Sequence, residues 1–129
     1  MIKQRGQSAV EFALMAPLVL FMILAAIYGG AMFIQFMNYS NEARRIARDI
    51  AVTDANARET LMQKYETAYT ETDARVGMYA VTLTTQLMPV GSDAPTEVHV
   101  RFDFDLSGRK FPFDFPPEHF AASYHMKLE

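Results

Sequence analysis

The most prominent pattern in the chain is a long apolar run near its N-terminus. Residues 12–34 carry no charged side chain, and Glu11 stands directly before them. At about 1.5 Å of rise per residue, a helix over this run is about 35 Å long, enough to cross a hydrocarbon core of about 30 Å. The apolar region of a removable signal sequence is shorter, at about 7 to 15 residues. The run therefore predicts a membrane-spanning helix that stays in the protein.

Small residues recur inside this run. They form two pairs spaced four residues apart, Ala25 with Gly29 and Ala26 with Gly30. Such positions let a second helix approach closely in a membrane, so we predict helix packing at these four residues, although small residues also occur in membrane helices as filler. Pro17 lacks an N–H group, which predicts a loosened or kinked turn soon after Glu11.

The helical pattern continues past the apolar run and then starts again. Apolar residues on one face beyond the run are Ala43, Ile46, Ala47 and Ile50. Arg45 and Asp49 are spaced for a weak ion pair along the same helix. A second helix is predicted from about 54 to 73, with Thr53 or Asp54 as its cap. Its predicted apolar stripe is Ala57, Leu61, Tyr65, Ala68 and Tyr69.

From Gly77 onward the period of the pattern changes to two, which predicts half-buried strands. The apolar positions of the first two strands are Tyr79, Val81, Leu83 and Leu87, then Val98, Val100, Phe102, Phe104 and Leu106. A third stretch with Phe111, Phe113 and Phe115 is predicted as an edge strand or extended cover, because Pro112 cannot donate a ladder hydrogen bond. The last alternating positions are Phe120, Ala122, Tyr124, Met126 and Leu128.

These elements define an α+β fold class. We predict a long N-terminal transmembrane helix that continues into an amphipathic helix, and a second helix packed on a small antiparallel sheet of three or four strands. The 129 residues leave room for one small soluble domain beside the membrane segment.

Composition and charge exclude several functions. The chain has no cysteine, so disulfides, thiolate catalysis and cysteine zinc sites are absent. Its formal net charge of −3 argues against a nucleic-acid partner held through phosphate contacts.

The polar residues of the strands suggest no reaction. The three histidines, His99, His119 and His125, lack the spacing of a metal site, and neither a nucleophile motif nor a glycine-rich phosphate loop is present. Asp103 and Asp105 point the same way from one strand, a pattern more typical of an exposed face than of paired catalytic acids. We therefore predict no catalytic residue, no metal site and no cofactor.

The N-terminal motif carries a family resemblance. A short basic leader that ends in glycine ("KQRG") is followed by four small or polar residues ("QSAV") and by "EF" at the start of the apolar helix. This arrangement resembles the processing site of type IV prepilins. The longer stretch "GQSAVEFALMAPL" resembles the N-terminus of TadE-like pseudopilins of the tight-adherence (Tad, or Flp) pilus. The chain departs from many type IV pilins in one respect, because Gln7 stands where they have phenylalanine.

The resemblance implies a processed pilus subunit that is not an enzyme. A prepilin peptidase would cut between Gly6 and Gln7, and Glu11, followed by Phe12, would pair with the new N-terminus of a neighbouring subunit. The implied partners are that peptidase, other pilins or pseudopilins, an inner-membrane assembly platform and the lipid bilayer. The implied location is the bacterial inner membrane, with the N-terminus cytoplasmic and the C-terminal domain outside the cytoplasm. The resemblance also allows a location in the extracellular pilus.

On this interpretation the chain divides into a leader (1–6), a pilin-like helix (7–52) and an α+β head (53–129). The function is that of a minor pseudopilin in pilus assembly and surface adhesion. Two alternatives stay open. Ser8 and Glu11 could form a capping box at the start of a plain signal anchor. The chain could also be a permanently anchored accessory subunit of a secretion or envelope complex that never enters a filament.

Overall fold

The structure, a computed structural model, describes residues 2–91, 94–106 and 117–129, with side chains described from residue 6 onward. The chain divides into two units, Met1–Ile34 and Gln35–Glu129. We call the second the head unit. One helix, α1 (Ile2–Val52), contributes to both units.

In the first unit α1 presents apolar side chains to its surroundings on every side. None of its most apolar stretch is buried within the protein. Phe12 is 74% exposed and Leu14 is 75% exposed. Pro17 lies inside this helix. A helix that is apolar all round is typical of a membrane span or of the core of a large protein, and the absence of burial is consistent with a span.

The head unit contains the end of α1, a second helix and one antiparallel sheet. The second helix is α2 (Ala55–Glu71). The described strands are β1 (Arg75–Val76), β2 (Tyr79–Met88), β3 (Glu97–Leu106) and β4 (His119–Lys127), in the spatial order β1-β2-β3-β4. The turn between β1 and β2 uses Gly77 with a φ of 59°, a conformation that favours glycine in a tight hairpin.

The alternating pattern of the strands is confirmed by the register and the burial. Val98, Val100, Phe102 and Phe104 of β3 are fully buried, and residues between them face the other side. β3 pairs along its length with both neighbours, from Tyr79↔Leu106 to Met88↔Glu97 and from Glu97↔Lys127 to Asp105↔His119. The fold class is thus α+β as expected. The stretch around Phe111, Phe113 and Phe115 lies outside the described residues.

The core of the head unit is built mainly by the end of α1 and by β3. Residues on the predicted α1 stripe, Ala43, Ile46, Ala47 and Ile50, are at most 1% exposed. Aromatic rings extend this contact, because Phe36 lies 5.7 Å from Phe104 and Tyr39 lies 5.1 Å from Phe102, between ring centroids. The predicted packing of α2 on the sheet is confirmed, because α2 lies against β2. The sequence did not predict that the end of α1 would contribute more buried apolar side chains than α2.

The predicted stripe of α2 is partly wrong. Leu61, Tyr65 and Tyr69 are half-buried as expected, but Ala57 and Ala68 are exposed. The inward face includes Arg58 and Glu66 instead. The guanidinium of Arg58 donates to backbone carbonyls at the end of α1, and the carboxylate of Glu66 accepts from a backbone N–H of β2.

The predicted ion pair between Arg45 and Asp49 is also wrong. Arg45 Nη2 lies 2.9 Å from Glu42 Oε1, three residues earlier in the helix. Asp49 Oδ2 accepts a hydrogen bond of 2.8 Å from the Tyr65 hydroxyl of α2. The acid therefore joins two helices rather than stabilising one turn of α1.

Candidate functional site

The residues of the predicted processing site lie in one exposed, continuous helical segment. α1 begins at Ile2, so Ser8 is inside the helix and does not cap it, and the capping-box alternative is wrong for the chain of 129 residues. Gln7 Nε2 donates a hydrogen bond of 3.5 Å to Glu11 Oε1, one turn later. The hydrogen-bond partner of Glu11 is thus a neutral amide.

Gly6 is not required by the packing of this chain. A Cβ atom built at Gly6 would meet nothing within 4 Å, and its φ lies outside the left-handed region. Glycine in a helix interior costs about 0.5–1 kcal/mol relative to alanine, so this position lowers local helix stability without a packing benefit. Contacts of the folded chain therefore do not explain glycine at this position.

The small-residue positions of the apolar run are open. Ala25, Ala26, Gly29 and Gly30 are all exposed, and Cβ atoms built at the two glycines meet nothing within 4 Å. Because lipid tails offer little hydrophobic drive for association, close backbone approach at small residues is a common way for membrane helices to pack. The surface is available for such contact.

The outer face of the sheet, opposite the helices, carries the polar residues considered for chemistry. His99 and His125 are register partners with ring centroids 5.3 Å apart. Asp103 and Asp105 share this face as predicted. Arg101 Nε donates to Asp103 Oδ1 at 2.7 Å, and His119 Nδ1 lies 2.6 Å from Asp105 Oδ1.

An open cleft of about 410 Å³ lies along the same face. Among the described residues, no group of three histidine or acidic side chains could hold a metal ion. The carboxylates are paired with Arg101 and His119 instead, and no arrangement of a nucleophile with a base and an orienting group is formed by these residues.

A second recess, of about 240 Å³, lies between α1 and α2 and was not predicted from the sequence. It is lined by Asn38, Tyr39, Glu42 and Tyr69. Burial raises the pKa of Tyr69 to about 12, and the negative charge of Glu42 adds to the increase. The recess depends on tertiary contact between two helices, so the linear sequence contains no local signal for it.

The described residues contain one helix that is long and apolar enough to cross a membrane, judged by length and composition. The family model that matches the chain is that of TadE-like protein, over residues 6–48. No curated protein and no solved structure matches the chain. The matched residues begin at Gly6, include Glu11 and the whole apolar run, and end in the part of α1 that forms the core of the head unit. The resemblance is thereby confirmed over the N-terminal third of the chain: residues 6–48 match the TadE-like family, which supports a protein associated with a Tad pilus and anchored in a membrane by a single helix.

Proposed function

We propose that this chain is a minor pseudopilin of a bacterial Tad/Flp pilus, cleaved by a prepilin peptidase after Gly6 and then taking part in pilus assembly and surface adhesion. In this proposal residues 1–6 are a leader and residues 7–52 a pilin-like helix. Residues 53–129, the part of the head unit that follows α1, lie outside the cytoplasm and catalyse no reaction. The TadE-like family is not an enzyme family, which agrees with this role. The observation that carries the proposal is the match that starts at Gly6 and places Glu11 at the entrance of an unburied apolar helix.

The environment of Gly6 supports cleavage at this bond. A peptidase must bind the backbone on both sides of the bond that it cuts, and a residue without a side chain lets that backbone come close. Neither packing nor an unusual φ requires glycine at this position in the folded chain. Cleavage would remove Lys3 and Arg5 and take the formal net charge from −3 to −5.

Glu11 gains a better partner when the leader is removed. On insertion scales an acidic residue at the centre of a bilayer costs about 2.5–3.5 kcal/mol, and less near the interface. In the uncleaved chain its partner is the neutral Gln7 amide at 3.5 Å. The new ammonium group of Gln7 in a neighbouring subunit would attract the carboxylate by about 4 kcal/mol at 4 Å and an effective dielectric constant of 20. Processing would thus convert an unfavourable acid into an assembly contact.

The cleavage step is tested by intact mass and N-terminal sequencing of the membrane-extracted protein, with and without the active peptidase. We expect the wild-type chain to begin at Gln7 only when the peptidase is active. A Gly6→Val variant should keep Met1, whereas Ala13→Val, which introduces the same valine side chain beyond the cleavage site, should be cleaved normally. Retention of residues 1–6 in wild-type protein with active peptidase would refute the proposal.

The assembly step is tested by the presence of the chain in sheared filaments. We expect Glu11→Gln to be cleaved normally but depleted from filaments, because the neutral amide cannot attract an ammonium group. Glu59→Gln, a neutralisation at an exposed position of α2, is the control and should enter filaments as wild type does. A processed chain that is never found in filaments would instead indicate a permanently anchored accessory subunit.

A further inference from the structure

Two histidines face each other on the outer side of the sheet. His99 of β3 and His125 of β4 are directly opposite in the register, and their ring centroids lie 5.3 Å apart. The N–H of Leu106 donates to the carbonyl oxygen of Glu118, so the hydrogen-bonded pairs of this ladder fall at even-numbered residues. His99 and His125 therefore form a non-hydrogen-bonded pair, the position at which side chains on neighbouring strands lie closest.

The distance between the two rings suits a metal ion bound by both. An imidazole nitrogen lies about 2.0–2.1 Å from a bound zinc ion. At that distance each ring centroid is about 3.2 Å from the ion, and two rings at a tetrahedral angle are about 5 Å apart, close to the 5.3 Å of this pair. Binding of one ion by both rings therefore requires no movement of the strands.

The surroundings of the pair admit and favour a cation. Both rings line the open cleft on this face, and 41% of the His99 side chain is exposed. Glu97 Oε2 lies 3.3 Å from His99 Nε2, and a carboxylate beside a histidine ligand orients the ring and strengthens its binding. The charge of Arg101 is paired, because its Nε donates to Asp103 at 2.7 Å. Lys127 lies opposite Glu97, but it is exposed and its long stem lets the ammonium group stay in water.

We propose that His99 and His125 bind one divalent transition-metal ion of the class that prefers imidazole, such as Zn²⁺ or Cu²⁺, with water in the remaining coordination positions. Mg²⁺ and Ca²⁺ prefer oxygen ligands and are excluded from this class. Among the described residues no third histidine or acidic side chain completes the site, so the ion keeps open positions. The site depends neither on cleavage of the leader nor on a place in the pilus.

The bound ion joins two strands. Among the described strands β4 pairs only with β3, so separation of these two strands also breaks the metal site. An ion that binds the closed sheet and not the opened one stabilises the closed form by mass action. At a free concentration about 100 times its Kd, the ion should therefore slow amide exchange through this opening by up to about 100-fold.

The test is calorimetric titration of the full-length protein in detergent, made without a polyhistidine tag, with ZnCl2, CuCl2 and MgCl2. We expect one ion at the pair in each chain, bound more tightly as Cu²⁺ than as Zn²⁺, and no binding of Mg²⁺. Amide exchange of β4 with and without Zn²⁺ is the second readout and should slow as described. Failure of both Zn²⁺ and Cu²⁺ to bind, or binding that leaves β4 exchange unchanged, would overturn the proposal.

Single substitutions locate the ion. His99→Gln and His125→Gln should each weaken Zn²⁺ binding at least about tenfold, because loss of even an outer partner of a ligand costs that much. His119→Gln is the matched control, since it makes the same change on the same face, beside Asp105, and should bind Zn²⁺ as wild type does. Unchanged affinity in His99→Gln or His125→Gln, or loss of binding in His119→Gln alone, would mean an ion held elsewhere and would refute the site.

A measurement on the wild-type chain needs no variant to fold. Cu²⁺ is paramagnetic, so a substoichiometric amount should broaden the backbone amide signals of His99 and His125 before that of His119. Equal broadening at the three histidines would indicate an adventitious ion only and would contradict the proposal.

Discussion

Arg58 joins the first turns of α2 to the end of α1 and to the last residue of the chain. Its Nε donates to the carbonyl oxygen of Ile50 at 3.3 Å, and its Nη2 donates to those of Ala51 and Glu129 at 3.3 and 3.2 Å. The last carbonyls of a helix have no partner within it, and the helix dipole favours a positive charge there. Only 9% of Arg58 is exposed, so water cannot easily replace the guanidinium.

Arg58→Met removes these three hydrogen bonds and keeps much of the aliphatic stem. A hydrogen bond to a charged group contributes about 1.5–3 kcal/mol, and the long distances place these near the lower limit. The substitution does not leave the helix carbonyls without donors, because Ile50 O also accepts from the N–H of Thr53 and Ala51 O from that of Glu129. We therefore expect a loss of about 2–4 kcal/mol in the free energy of unfolding of the head, less than a full sum of three bonds.

Amide hydrogen exchange of β3 in the full-length protein in detergent measures this free energy, since the fully buried strand exchanges only when the head opens. Lys64→Met, at an exposed position of α2, is the matched control and should change the free energy by less than about 0.5 kcal/mol. Arg58→Lys keeps the charge but loses the planar guanidinium group. Its free energy of unfolding should therefore lie between those of wild type and Arg58→Met. A loss below about 1 kcal/mol for Arg58→Met would show that these contacts do not stabilise the head, contrary to the reasoning above.

Other contacts of the head give further expectations with the same exchange assay. Phe104→Ala should cost about 3–5 kcal/mol, because the ring is fully buried. Thr85→Val should cost about 1 kcal/mol, since it removes the hydroxyl bond of 2.7 Å to Glu66 but keeps the backbone N–H bond to the same carboxylate; a neutral result would show that the hydroxyl bond adds nothing. The pKa of Tyr69 rises from 10.0 in the unfolded chain to about 12 in the folded one, so its contribution is complete below pH 10 and is lost as the pH rises toward 12. Between pH 10 and pH 12 the free energy of unfolding of Tyr69→Phe should therefore fall less than that of wild type. An identical fall in the two proteins would contradict the raised pKa of Tyr69. A fragment of residues 53–129 should show no protected β3 amides, whereas one that begins with the head unit at Gln35 should show them.

The sequence predicted the strands well because their burial depends on a local period. In β3 every second residue is apolar, and the two sides of a strand face different environments, so the pattern alone identifies the core face. The motif on which the proposed cleavage rests is equally local, since Gly6 and Glu11 lie within two turns of one helix. Both could be read without knowledge of the tertiary structure.

Residues that act between elements could not be predicted in this way. Arg58 and Glu66 are charged, and pattern rules assign charged residues to the surface, whereas here they turn inward to bind backbone groups of α1 and β2. The recess of Glu42 and Tyr69 exists only because α1 and α2 pack together. Burial of polar groups requires partners, and the identity of those partners is a property of the fold and not of the local sequence.

The end of α1 shows why a helix boundary and a structural boundary need not coincide. The sequence pattern continues from the apolar run into the amphipathic stripe without a break, and the helix ends at Val52. The head unit nevertheless begins at Gln35, because the stripe residues Ala43, Ile46 and Ile50 are almost fully buried. One helix is therefore apolar all round where its side chains are unburied and apolar on one side where it faces the sheet. Removal of residues 1–6 would take away none of these buried side chains, so the proposed cleavage after Gly6 would leave the core of the head unit intact.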